Sequence, residues 1–152
     1  MSNYTFDQVQ LVRRPLSDVF GFFADPSNLQ LLTPPLLNFR ILSPVPIEMR
    51  EGALIDYRIS IRGIPMRWRT RIEDYDPMRS FVDIQLRGPY RSWRHTHSFE
   101  ARPEGTEVRD HIEYSLPFGP LGAAAHALFV RRDLETIFAY RREAIERSLE
   151  SR

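Results

Sequence analysis

The segment from Trp93 to Leu116 limits the possible folds more than any other stretch of the chain. Trp93, His95, His97 and Phe99 alternate with Arg94, Thr96 and Ser98, the period of a strand with one apolar face. Beyond Arg102-Pro103-Glu104-Gly105, residues Val108, Ile112, Tyr114 and Leu116 share one parity, with Asp110 among them. The two runs read as a β-hairpin. Their apolar faces coincide only if odd positions on the first strand pair with even positions on the second. A four-residue loop, Arg102 to Gly105, meets that condition, with Gly105 free to take a positive φ. A three-residue loop would set His97 against His111 and split the apolar faces. The register therefore predicts His97 beside Asp110, both pointing into whatever the sheet encloses. Two imidazoles and a carboxylate on an aromatic inner wall suggest a lined cavity more than a plain core.

The rest of the chain supplies what that hairpin needs. Tyr4 to Arg13 reads as a first strand. Pro15 suits a helix first turn, and Val19, Phe20, Phe22 and Phe23 make the helix strongly apolar. Asp25 as N-cap and Pro26 at N1 start a second short helix that stops at Pro34-Pro35. Strands follow at Leu36–Ser43, Leu54–Arg62, Met66–Tyr75 and Phe81–Arg87. Their inner faces are predicted as Ile55, Tyr57, Ile59 and Ile61, then Met66, Trp68, Thr70 and Ile72, then Val82, Ile84 and Leu86. Pro117 to Gly122 breaks the sheet. A long helix is predicted from Leu121 to about Leu149, with Ala125, Leu128, Phe129, Ile137, Phe138, Tyr140, Ile145 and Leu149 on its apolar stripe. The fold class is α+β: a curved seven-stranded antiparallel sheet wrapped round a long C-terminal helix, with two short helices after strand 1. A single domain spanning 1–152 is expected.

Composition removes several function classes. The 21 basic residues are all arginine, which rules out Schiff-base chemistry and a lysine-dependent phosphate loop. A formal net charge of +1 gives no electrostatic case for nucleic acid. With no cysteine there is no disulfide and no thiolate chemistry. No N-terminal leader pattern and no apolar run near the ~20 residues of a membrane span are seen, so a cytoplasmic protein without stable membrane insertion is expected.

The chain resembles the START-related superfamily, also known as SRPBCC or Bet v 1-like helix-grip proteins, over essentially its whole length. The resemblance rests on the element order and four local features. These are Pro15 with Val19-Phe20, Asp25-Pro26 with Asn28-Leu29, Gly105-Thr106 leading to Asp110 and Tyr114, and Pro117-Phe118-Gly119 before the last helix. The nearest flavour is the bacterial polyketide cyclase/dehydrase-like group. It implies an apolar cavity between sheet and helix, used by relatives for lipids, sterols and polyketides. Fold alone does not transmit function.

Against that background Tyr57, Trp68, Trp93, His95, His97, Asp110, Tyr114 and Phe138 are the candidate ligand-binding residues, and a hydrophobic small molecule is the expected partner. His97 with Asp110 is the candidate catalytic base of an alternative function, a polyketide cyclase or dehydratase. His95-x-His97 with Asp110 has the residue types of a metal site, but His111, the one further ligand candidate, has the wrong parity; no metal and no cofactor are expected. Gly119 and Gly122 flank the expected cavity mouth and fit either a moving lid or a plain connection. A third alternative is a protein-interaction module with a vestigial cavity, contacting partners through the Arg67, Arg69 and Arg71 stripe. Oligomeric state is not legible.

Overall fold

The structure, a computed structural model, describes residues 3–150. Strand β1 (Asn3–Val12) leads into α1 (Leu16–Phe23), a single 3-10 turn (Pro26–Asn28) and α2 (Leu29–Leu32). Six strands follow: β2 (Arg40–Ile41), β3 (Leu54–Ile61), β4 (Ile64–Asp76), β5 (Ser80–Arg87), β6 (Ser92–Arg102) and β7 (Gly105–Ser115). They form one antiparallel sheet in the order β1-β7-β6-β5-β4-β3-β2. Helical residues 119–150 close the chain as α3 (Gly119–Ala125), a π turn (His126–Val130), α4 (Arg131–Ile145) and a second π turn (Glu146–Glu150).

The β6–β7 register is the one required by the apolar faces: Trp93 opposes Tyr114, His95 opposes Ile112, and His97 opposes Asp110. The loop is tighter than expected. Arg102 and Gly105 pair with each other, leaving Pro103-Glu104 as the turn. Shortening a loop by two residues keeps the parity, so the register is unchanged. A Cβ on Gly105 would lie 2.1 Å from the Val12 carbonyl oxygen, so only glycine permits this approach of hairpin to β1.

Three further expectations need correction. The predicted Leu36–Ser43 strand shrinks to Arg40–Ile41, because Pro34-Pro35 opens a 3-10 turn that ends on Asn38 in the left-handed region at φ 47°. On β5 the inner face is the opposite of that predicted. Phe81 and Asp83 oppose His97 and His95, while Val82 and Ile84 oppose Thr96 and Arg94 on the other face, where Val82 is still buried, and Leu86 is exposed. The outer partners of Ile84 are Arg71 and Arg94, whose aliphatic stems suit an apolar neighbour on a wet face. The last helix begins at Gly119, two residues early, and Leu128 and Phe129 are exposed. The π turn there adds a residue to the helical repeat and shifts the apolar stripe out of phase. Past it the buried stripe is Leu134, Phe138, Arg141, Ile145 and Leu149.

Side chains fasten this helix to the sheet edge. Gln8 and Gln10 of β1 donate to the carbonyls of Phe138 and Arg142, at 3.3 and 2.9 Å. Arg131 and Arg142 donate in return to the carbonyls of Thr5 and Val9, at 2.8 and 3.2 Å. The outward-facing carbonyls of an edge strand thus find partners within the chain. Gly122 serves packing here: a Cβ would lie 2.2 Å from the Pro117 carbonyl oxygen.

Two apolar clusters result. One joins α1 (Val19, Phe20, Phe22, Phe23) to Phe81, Phe99, Ile145 and Leu149. The other joins Phe6, Trp68, Trp93, Ile112, Tyr114, Leu134 and Phe138. The His97 ring stacks on Phe81 of the first, and the His95 ring meets Phe138 of the second edge-on. The polar residues therefore occupy the seam between the clusters.

Candidate functional site

A cavity of about 450 Å³ lies between the inner face of β3–β6 and the helices α2 and α4. That volume suits a drug-sized molecule. Its walls are mainly apolar and aromatic. Tyr57 and Trp68 stack with centroids 5.8 Å apart, and Trp93 meets Trp68 edge-on at 5.3 Å. Strand alternation places these rings: β3 and β4 pair Tyr57 with Trp68 directly, so both face inward.

Six of the eight residues singled out from sequence line this cavity: Tyr57, Trp68, Trp93, His95, His97 and Phe138. Asp110 sits behind them, 2% exposed, and bonds to a cavity residue instead of lining the space itself. Tyr114 is buried away from the cavity and shares a hydrogen bond of 2.8 Å with Nε2 of His126. Gly119 and Gly122 are not on the cavity wall. At the mouth, Arg62 and Asp133 reach across from the β3–β4 turn to α4 and pair at 2.9 Å.

The polar cluster is larger than the hairpin alone. The predicted pairing of His97 with Asp110 is corrected by Asp83. Nε2 of His97 lies 2.5 Å from Asp83 Oδ2, whereas its Nδ1 is 3.6 Å from Asp110 Oδ1. His95 shows the reverse: Nε2 is 2.8 Å from Asp110 Oδ1, and Nδ1 is 3.6 Å from Asp83 Oδ2. The two rings stack at 3.7 Å between the two carboxylates. The Trp93 indole N–H donates to Asp83 Oδ1 at 3.2 Å. Arg141 completes the group, with Nη2 3.8 Å from Asp110 Oδ1 and its guanidinium over the rings of Phe23 and Phe138.

These neighbours decide which groups carry charge. Burial works to raise the Asp110 carboxyl, but the Arg141 charge and the His95 hydrogen bond outweigh it and hold it well below the usual carboxylate range. Asp83 is also held low: burial opposes ionisation, and His95 and His97 overcome it. For His97 burial dominates, seconded by the neighbouring imidazole, and its pKa is pushed down to about 4 despite Asp83. At neutral pH the His97 ring is therefore uncharged. Asp83, His95 and His97 each bring a ligand atom within 4.8 Å of the others, a set that can hold a metal ion.

Asp83 and Arg141 were not singled out from the sequence. Arg141 carried a signal, since it falls three residues after Phe138 and four before Ile145, an apolar-face position. Asp83 carried a weaker one: it shares parity with Phe81. On the wall itself, Trp68 Nε1, Arg141 Nε and His97 Nδ1 are buried and have no hydrogen-bond partner among the described residues. The first two can only donate. The outer arginine stripe is different, since Arg69 pairs with Asp56 at 2.8 Å and Arg71 with Glu73 at 2.5 Å.

A family model described as polyketide cyclase / dehydrase and lipid transport matches residues 12–139. No curated protein matches the chain significantly. Among solved structures, protein CV1439 from Chromobacterium violaceum superposes with a TM-score of 0.74 at 13% identity, covering 96% of each chain. The ginseng major latex-like protein 151 from Panax ginseng gives 0.71 at 13% identity, over 97% of each chain. The di-domain ARO/CYC StfQ from the steffimycin biosynthetic pathway gives 0.73 at 14% identity, over 98% of this chain and 52% of that one. At these identities the likeness shows the fold.

Proposed function

The chain belongs to the polyketide cyclase/dehydrase and lipid transport family, and from that premise we propose that it binds a hydrophobic small molecule carrying acceptor oxygens in the cavity between sheet and α4. The observation that carries this is a pair of buried donors on a mainly apolar wall that have no partner among the described residues: Trp68 Nε1 and Arg141 Nε. A buried donor without a partner costs about 1–3 kcal/mol. A guest with carbonyl, carboxyl or phenolate oxygens removes that cost, while its rings or chain gain ~25 cal/mol per Å² of buried apolar surface. Polyketides, quinones and oxygenated aromatics have this composition. His95, His97, Tyr57, Trp93 and Phe138 shape the rest of the site. A cytoplasmic carrier or sensor of such a molecule is the role this supports.

Native mass spectrometry with a matched pair of probes tests it. A hydroxyanthraquinone is expected to bind one per chain, and anthracene, with the same rings but no oxygens, at least tenfold more weakly. Equal affinity for both would remove the donors from recognition.

A cyclase or dehydratase is the alternative, with His97 as base and Asp83 and Asp110 flanking the imidazole pair. A base works best with a pKa near the working pH. One at about 4 accepts a proton at pH 7 at an expense of roughly 4 kcal/mol. This favours binding over proton abstraction. His97→Asn separates the two: an enzyme loses turnover with guest affinity near normal. An interaction module gains least support, because two of the three stripe arginines pair with acids of their own sheet face.

A further inference from the structure

We propose that Asp83, His95 and His97 form a binding site for a divalent transition-metal ion at the inner end of the cavity, with zinc(II) its simplest occupant. Both rings turn one nitrogen toward the same oxygen: His95 Nδ1 and His97 Nε2 stand 3.6 and 2.5 Å from Asp83 Oδ2. Two imidazoles and one carboxylate form a donor set used for zinc and for non-haem iron. All three residues lie on the cavity wall, so the coordination position left open faces the guest.

The surroundings are those a metal site needs. The far nitrogen of His95, Nε2, is held by Asp110 at 2.8 Å, which fixes the ring and leaves Nδ1 for an ion. The far oxygen of Asp83, Oδ1, is held by the Trp93 N–H, which turns Oδ2 toward the two imidazoles. His97 Nδ1 faces Asp110 Oδ1 at 3.6 Å and has no hydrogen-bond partner among the described residues, and this ring also gains an outer-shell carboxylate by a small movement. Charge agrees, since the Asp110 carboxylate, which is buried, and that of Asp83, which is partly buried, meet a single guanidinium among the described residues, Arg141. A cation between the rings supplies what a ring proton otherwise would.

Occupancy requires rearrangement. Ligand atoms around a tetrahedral ion with bonds of 2.0–2.1 Å stand roughly 3.3 Å apart. His97 Nε2 must therefore retreat from Asp83 Oδ2, and the two rings must splay out of their stack. An ion seated there presents its open position to a carbonyl or enol oxygen of the guest, so metal and guest would strengthen each other's binding.

The test uses the full chain after chelator treatment, with cobalt(II) as spectroscopic probe and zinc(II) followed by calorimetry. The expected result is one ion per chain, visible bands of four- or five-coordinate intensity, and zinc-induced shifts of the ring nitrogens of His95 and His97 in nitrogen-15 spectra. Asp83→Asn should weaken binding by about 100-fold and Asp110→Asn by about 10- to 100-fold. His111 provides the control: it lies on the exposed surface between Asp7 and Glu113, at 2.5 and 3.1 Å, and His111→Gln should change nothing. Shifts confined to His111 or His126, a six-coordinate cobalt spectrum, or no binding up to about 1 mM would each overturn the proposal. The wild-type spectra decide the matter even if a variant fails to fold.

Discussion

His95 and His97 stack face to face, 3.7 Å between ring centroids and 25° from parallel, with Asp110 bonded to one ring and Asp83 to the other. Strand geometry brings the two histidines to one face, and the adjacent strands β5 and β7 each deliver one carboxylate to that face. The arrangement is self-consistent in hydrogen bonding, yet it borders an open cavity instead of closing a core.

Stability should depend on pH through His97. Its pKa is about 4 in the folded chain and near 6.5 when unfolded, so the unfolded state binds the extra proton between those values. The contribution is fully present above pH 6.5 and is lost as pH falls toward 4, by roughly 3 kcal/mol. Denaturant unfolding of metal-free protein from pH 4 to 7 should show this slope, and His97→Asn should flatten it. An unchanged slope in the variant would contradict the depressed pKa.

Asp110 and Arg141 should behave as a buried pair. Asp110→Asn leaves the guanidinium, itself 8% exposed, without its closest carboxylate, which costs about 3–5 kcal/mol. Combining it with Arg141→Met should recover much of the loss. Unfolding free energies of the single and double variants measure the coupling; additive losses would show that the two do not act as a pair.

Much of this site was legible from alternation alone. The His95/His97/Asp110 face and the Tyr57–Trp68 wall follow from period-two patterns and from the parity of one loop, because a strand that buries one face tolerates no slip. Asp83 was not legible, since Val82, Ile84 and Leu86 imitate an inner face. Which side of β5 is buried depends on its register against β6, and neighbouring arginines shelter the apolar side. Arg141 was hidden for a related reason: an arginine is read as solvent-facing unless its partner is known, and Asp110 lies on another element. The phase of the last helix was lost at the π turn, which apolar periodicity cannot foresee.

Trp68→Phe should separate folding from binding. It removes a buried donor that has no partner among the described residues, so the stability of the empty protein should change by less than about 1 kcal/mol, the lost ring volume offsetting the removed penalty. Affinity for a hydroxyanthraquinone should fall about tenfold, while affinity for anthracene should hold. Calorimetry with both probes checks this; parallel losses would point to shape alone.

Arg62 and Asp133 bridge the cavity mouth, and both are substantially exposed, at 53% and 39%. An exposed pair contributes about 0–1 kcal/mol, so Arg62→Ala should leave the unfolding midpoint nearly unchanged. It should raise both association and dissociation rates of the guest, with the dissociation constant altered little. Stopped-flow quenching of Trp68 and Trp93 fluorescence reports those rates, and unchanged rates would place the entry path elsewhere.

A crystal structure of the chain with a hydroxyanthraquinone bound is the most direct measurement. The guest is expected between the inner face of β3–β6 and α4, with one of its oxygens accepting from Trp68 Nε1 and another within reach of Arg141. A guest bound outside this cavity, or a cavity collapsed onto its own side chains with both donors satisfied from within the protein, would contradict that expectation.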